Sequence, residues 1–155
     1  MGEQLPDSLS YERIHMNLIE NLKEIFNNLN ASNTNLLEQI YSDDLIFEDP
    51  AHKIQGLKNF QLYCQNLYQR VNKCKFQFHN VEYFSGGAIL EWTMLLQHPR
   101  LNRGNEFSVA GVSIIKFNDK IYSHRDYFDL GAMLYEQLPL FGSMTKFIKR
   151  KLGTA

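Results

Sequence analysis

Cysteine is scarce: Cys64 and Cys74 are the two thiols among 155 residues. With no companion Cys or clustered His at ligand spacing, neither a disulfide framework nor a metal site is expected, and a reduced, cytoplasmic setting is the default. No apolar run approaches the roughly 18 residues of a membrane span. The N-terminal stretch MGEQLPDSLSYERIH also lacks the apolar segment of a secretory leader. Neither export nor stable membrane insertion is therefore expected. Positive charge is not in excess either, since 16 Lys and Arg face 17 Asp and Glu, with a net charge of −1 and a pI near 6.5. That balance argues against a nucleic-acid binder, which needs a basic face to neutralise phosphates. No internal repeat, low-complexity run or linker divides the chain, so one domain is expected. Gly86-Gly87 precedes no helix with Lys-Ser/Thr, and His52, His79 and His98 show no ligand spacing, so neither cofactor nor metal is expected.

Aromatic residues are abundant instead, 13% of the chain with 11 Phe and 8 Tyr. A domain of this length buries roughly 70% of the surface its unfolded chain exposes, which suits one sizeable core, with or without a cavity. Residues 1–9 read as a flexible leader. Tyr11, Ile14, Leu18, Leu22, Ile25, Phe26 and Leu29 recur at spacings of three and four, which predicts a helix from Ser10 to about Asn30, with His15 on its surface. Leu36, Leu37, Ile40 and Tyr41 predict a short second helix. The segment 45–49 alternates, with Leu45, Phe47 and Asp49 on one face and Pro50 as its stop. Leu57, Phe60, Cys64, Leu67 and Val71 predict a third helix opened by Gly56, with Cys64 as a small core residue. From Asn72 the period becomes two, and strands are expected at about 74–84, 88–97, 107–117 and 120–128. Helices grouped before hairpin-linked strands make an α+β domain with an antiparallel sheet. In residues 132–155, Met144, Phe147, Ile148 and Leu152 define one helical face, opposed by Lys146, Lys149, Arg150 and Lys151.

The stretch Lys116 to Gly131, KFNDKIYSHRDYFDLG, organises the rest. Asn118-Asp119 breaks an apolar run that resumes at once, the pattern of a hairpin turn. Alternation from Ile121 puts Tyr122, His124, Asp126 and Phe128 on one face, and Ser123, Arg125, Tyr127 and Asp129 on the other. One face thus presents an imidazole and a carboxylate between aromatic rings; on the other, Arg125 and Asp129 suit a solvated ion pair. The same alternation gathers Phe47 and Asp49, then Leu90, Trp92 and Met94, then Val109, Gly111 and Ser113. A carboxylate withdrawn from water is the group that becomes usable as a general acid or base, which singles out Asp49 and Asp126. Each candidate has a plainer role beside it. Asp49 before Pro50 suits a turn cap, Trp92 suits core filling, and His124 suits a satisfied buried histidine.

These residues also carry a family resemblance. KIYSHRDYFD at 120–129 resembles the terminal strand that closes the cone-shaped domains of the nuclear transport factor 2 superfamily, most of all the SnoaL-like polyketide cyclases and limonene epoxide hydrolase. YSDDLIFEDPAHKIQG at 41–56 is similar to a segment of ketosteroid isomerase. The resemblance covers about residues 11–131, so a cone domain is expected at 10–131, between the leader and the amphipathic extension 132–155. It implies an α+β fold whose curved antiparallel sheet forms a cone around N-terminal helices, with the inner strand faces lining a cavity. From the isomerase it implies a proton-moving role for Asp49, although the isomerase's oxyanion donors fall near Ile25 and Ser113. From the epoxide hydrolase it implies a role for Asp126, although that enzyme's middle-strand Arg and Asp are Trp92 and Met94 here. From the SnoaL-like cyclases it implies an acid/base Asp126 assisted by His124.

The resulting expectation is a pocket for a hydrophobic small molecule, working without metal or cofactor as an isomerase, dehydratase or cyclase. Asp126, Asp49 and His124 would carry the chemistry, and Phe47, Trp92, Met94, Ser113 and Phe128 would line the pocket. The competing expectation is a non-catalytic binding or interaction module with a filled cone. A cavity of about 300 Å³ or more at Asp126 separates the two. The outward residues Ala110, Val112, Ile114 and Tyr127 are apolar for a face left in water, which leads to the expectation of a homodimer formed sheet to sheet. Within residues 132–152, Leu134, Leu138, Leu140 and Phe141 are expected to cover the cone's mouth or the partner; the alternative is that the basic end, KFIKRK, touches an anionic membrane surface.

Overall fold

The computed structural model describes residues 8–134, 137 and 139–153. Helix α1 (Ser8–Asn28) buries Leu18, Ile19, Leu22 and Ile25, and Leu29 is buried just past its end. Ile14, expected on that stripe, is 53% exposed. The inward line runs instead through His15, whose ring lies 4.7 Å from that of Phe117, and then through Ile19, Leu22 and Phe26. That line leaves Ile14 on the solvent side. The short second helix is of the 3-10 type (Thr34–Gln39) and buries Leu37.

Strand β1 (Tyr41–Glu48) leads into β2 (Lys53–Gln55), and the two form an antiparallel hairpin. Gly56 then turns the chain into helix α2 (Leu57–Tyr68). Its φ of +89° favours glycine, and its N–H donates to Leu45 O at 2.7 Å, which fixes the corner. Leu57, Phe60 and Cys64 are the buried side of α2. Strands β3 (Lys73–Phe84), β4 (Gly87–Gln97), β5 (Phe107–Phe117) and β6 (Ile121–Phe128) follow as an antiparallel meander. The sheet order is β2-β1-β6-β5-β4-β3, and β1 pairs with β6 in parallel, a departure from the antiparallel pattern. The fold is the expected α+β cone, with helices against the inner face of a curved sheet.

Alternation holds along the central strands. Leu90, Trp92, Met94, Val109, Ser113 and Ile115 are buried, while Glu91, Ala110 and Lys116 face outward. It fails at the start of β6, where Ile121 is fully buried and Tyr122 is 37% exposed. Between Lys116 opposite Ser123 and Phe117 opposite Ile121, β6 spends one residue more than β5. This bulge turns Tyr122 out of the face that it was expected to share with His124.

Arg125 and Asp129 do not pair with each other as expected. Arg125 Nη1 meets Glu48 Oε1 at 2.8 Å, because the parallel pairing sets Glu48 opposite it. Asp129 caps helix α3 (Leu130–Met133) by accepting from Ala132 N, and it pairs with Lys149 of helix α4 (Pro139–Gly153). The Lys149 contact and the Ala132 amide hold its carboxyl below the ordinary aspartate value. Leu134 is partly buried. The leader's residues 1–7, Leu138, and the side chains of Leu140 and Phe141 lie outside the described residues.

Gly111 sits directly opposite Trp92, and a Cβ there would come within 2.2 Å of the indole. Gly111→Ala is expected to displace Trp92 and cost about 1–3 kcal/mol, read as a lower midpoint in chemical denaturation.

Candidate active site

Strands β4, β5 and β6 lie side by side, so inward residues meet across the strands. Ser113 is opposite Asp126, Ile115 opposite His124, and Phe47 of β1 opposite His124. The polar atoms link into one chain. Trp92 Nε1–H donates to Ser113 Oγ at 2.8 Å, and Ser113 O–H donates to Asp126 Oδ1 at 2.5 Å. His124 Nε2 lies 2.8 Å from the same carboxylate oxygen and 3.3 Å from Ser113 Oγ. At the far end, Tyr41 OH is 2.5 Å from His124 Nδ1. Tyr41, Trp92, Ser113 and His124 are buried, whereas the Asp126 side chain is 18% exposed. The rings of Phe47, Tyr41 and Phe26 surround the imidazole at 5.4, 5.9 and 6.0 Å.

Tyr41 determines where the protons lie. Its hydroxyl is fully buried and, among the described residues, its single hydrogen-bond partner is His124 Nδ1. Burial, reinforced by the charge of Asp126, pushes its pKa well above the ordinary tyrosine value, so the phenol keeps its proton and donates it. Nδ1 is then the acceptor, and the ring proton sits on Nε2, aimed at Asp126. The other tautomer would strand a buried phenolic proton, at a cost of about 1–3 kcal/mol. It would also set an Nε2 lone pair against a carboxylate oxygen. Both nitrogens of His124 are thus taken by the protein. Oδ1 of Asp126 receives two donors, and Oδ2 receives none among the described residues.

Asp49 stands apart from this chain. Its Oδ1 accepts from Ala51 N at 2.8 Å and His52 N at 2.6 Å, so it caps the β1–β2 turn. His52 Nδ1 lies 3.0 and 3.1 Å from its two oxygens, and Tyr63 O–H donates to Oδ2 over 3.4 Å. Tyr63 is held above its ordinary pKa by burial and by the Asp49 charge. No hydrogen bond joins Asp49 to His124 or Asp126 among the described residues. The imidazole of His52 instead borders an open cleft of about 610 Å³, lined also by Lys53, Asn59 and Tyr63.

Trp92 and Ser113, expected to meet a ligand, spend their polar atoms inside the chain. Phe47 stacks on Phe60 at 4.6 Å, Met94 is buried, and Phe128 is part-buried with its ring 6.3 Å from Trp92. Two further clefts, of about 340 and 530 Å³, lie on the outer sheet face at Ala110 and between α1 and the β3–β4 hairpin. Asp126 lines none of the three. Among the described residues, no three His, Cys, Asp or Glu side chains cluster as a metal site requires. Tyr41 is the residue that the sequence pattern missed. It reads locally as the end of a helix, and only the β1–β6 pairing brings it to His124.

Residues 22–124, from α1 to His124 itself, match the SnoaL-like domain. The chain belongs to the SnoaL-like domain family. Solved structures similar to this SnoaL-like domain include an LEH-like epoxide hydrolase from M. tuberculosis, at 18% identity and a TM-score of 0.65, over 78% of this chain and 86% of that one. A putative SnoaL-like polyketide cyclase from Shewanella denitrificans is similar at 17% identity and a TM-score of 0.62, over 80% and 93%. A protein with a ketosteroid isomerase-like fold from Catenulispora acidiphila is similar at 14% identity and 0.69, over 79% and 93%. At these identities the likeness establishes the fold. No curated protein sequence matches the chain.

The proton placement is directly measurable. Nitrogen-15 NMR of the unmodified protein is expected to show His124 as the Nε2–H tautomer, and Tyr41→Phe is expected to lose that single tautomer. A native Nδ1–H imidazole would contradict the placement.

Proposed function

We propose that this SnoaL-like domain binds a hydrophobic small molecule at the rim of its cone and exchanges a proton with it through Asp126 Oδ2. The observation that carries this reading is that, among the described residues, Oδ2 is the atom of the hydrogen-bonded chain left without a protein partner, on a side chain that reaches the surface. His124 and Ser113 hold Oδ1, which orients the carboxylate. Phe128 and the upper part of the aromatic wall supply the apolar contact. Proton transfer of this kind supports isomerisation, dehydration or cyclisation and needs no cofactor. Asp49 and His52 form a separate pair at the hairpin, so the proposal rests on Asp126.

One observation favours a second reading, a non-catalytic module. The interior of the cone is filled by Phe26, Phe47, Phe60 and Trp92, and none of the three clefts contains Asp126. Asp126→Asn separates the readings, because it keeps the shape while removing the proton-exchanging oxygen. With ligands found by thermal-shift screening of hydrophobic carbonyl compounds, the acid/base reading expects turnover to fall by about 10²–10⁴ with stability nearly unchanged. Loss of about 1–3 kcal/mol of stability with ligand affinity retained would leave Asp126 a structural residue.

We also propose that two copies pair through the outer sheet face. Tyr127 there is 47% exposed, with Arg125 stacked 4.9 Å over its ring, and Ala110, Val112 and Ile114 extend the patch. A reduced, cytoplasmic setting is supported by Cys64 and Cys74, which are buried and unlinked; burial pushes their thiols up to about 12 and about 11. Light scattering is expected to give twice the 18.2 kDa chain mass, and Ile114→Glu with Tyr127→Glu to return the monomer. A native protein that stays monomeric at micromolar concentration removes the pairing.

A further inference from the structure

Helix α4 is amphipathic in an unusual sense, because its apolar side faces away from the domain. Met144, Phe147, Ile148 and Leu152 fall at spacings of three and four and are 55%, 52%, 48% and 75% exposed. Among the described side chains, the side turned to the body is small or polar. Gly142 is buried, Thr145 approaches Gly131 of α3, and Lys149 pairs with Asp129. A surface helix docked for its own stability would do the reverse and bury its apolar stripe.

The charge on the helix indicates what covers that stripe. Segment 139–153 holds four of the chain's 16 basic residues and none of its 17 acidic ones, so a net positive helix projects from a net negative body. Lys146 and Arg150 flank the stripe, and Lys151 lies within it, its ammonium 5.4 Å from the Phe147 ring centre. Long basic side chains around an apolar ridge can rest their stems on it and carry their charge to the level of lipid headgroups. Among the described residues, no helix is long and apolar enough to cross a membrane, so the contact is one of lying on a surface. A second copy of α4 would bring cation against cation, whereas an anionic lipid surface complements both the ridge and its charges.

We infer that helix α4 docks this protein on anionic lipid surfaces, with Phe147, Ile148 and Leu152 entering the acyl boundary and Lys146, Arg150 and Lys151 meeting the headgroups. The inference is independent of any chemistry at Asp126.

The test is co-sedimentation of the full chain with vesicles of phosphatidylcholine containing phosphatidylglycerol, against vesicles of phosphatidylcholine alone. Binding is expected to the first and to be much weaker to the second, falling steeply with salt because exposed charges are screened within about 10 Å at 0.1 M. Each basic residue near such a surface strengthens binding about fivefold. Lys146→Gln, Arg150→Gln and Lys151→Gln together are therefore expected to weaken it about a hundredfold. Phe147→Glu with Ile148→Glu is expected to abolish it while leaving the melting temperature unchanged, since these side chains touch solvent. Equal binding to both vesicle types, or none to either, overturns the inference. So does self-association abolished by the Glu pair, which would make a second copy the occupant, or capture of polyglutamate in place of lipid.

Discussion

A polar group buried where water cannot follow must find its partner within the fold, and four such side chains meet the partly exposed Asp126 on the inner face of this sheet. Trp92, Ser113, Asp126, His124 and Tyr41 satisfy one another in sequence, and each broken link would cost about 1–3 kcal/mol. That is a large share of the roughly 5–15 kcal/mol that holds a domain together. The chain of bonds therefore constrains the strands. A one-residue slip of β6 against β5 would turn His124 and Asp126 outward. The bulge at Tyr122, the bare Cα of Gly111 under the indole, and the parallel approach of β1 all serve the register that closes it.

Two histidine–carboxylate pairs among the described residues are built to opposite ends. His124 is buried, with Tyr41 on one nitrogen and Asp126 on the other, so it can orient a carboxylate but has no site for a ligand's proton. His52 gives one nitrogen to Asp49 and stands at a surface cleft, with its side chain 47% exposed. The difference is one of surroundings. Asp49 follows the last residue of an edge-side strand and closes a tight turn, while Asp126 lies within a strand flanked by β5, with helices packed over its inner face.

Apolar surface is likewise distributed in two ways. Within the cone, α1 and α2 press their apolar stripes onto the sheet, the arrangement that stabilises most small domains. Among the described side chains, helix α4 turns Gly142, Thr145 and Lys149 to the body and leaves Met144, Phe147, Ile148 and Leu152 exposed. A helix that contributes little to the core is free to contribute a surface.

Much of the architecture is legible in local pattern. The switch from a three-to-four period to a period of two marks the four long strands to within a residue of their ends, because alternation over 8–12 residues is hard to mistake. The same alternation puts Trp92, Ser113, His124 and Asp126 on one inner face. Strand β2 escapes because three residues carry no period, and the turn at Pro50 gives Asp49 the capping role that its sequence position also suited. The bulge at Tyr122 is a property of two strands in register, so no single strand announces it. Tyr41 is the clearest case. Its neighbours give it a helical spacing, and its role arises only when β1 lies parallel to β6, 80 residues away along the chain by its pairing with Ile121. The sequence by itself determined which side chains of β4 and β5 face inward, since that depends on neighbours two residues apart. The tertiary structure alone decided which side chains share a proton, since a hydrogen bond needs atoms within about 3 Å whatever their separation along the chain.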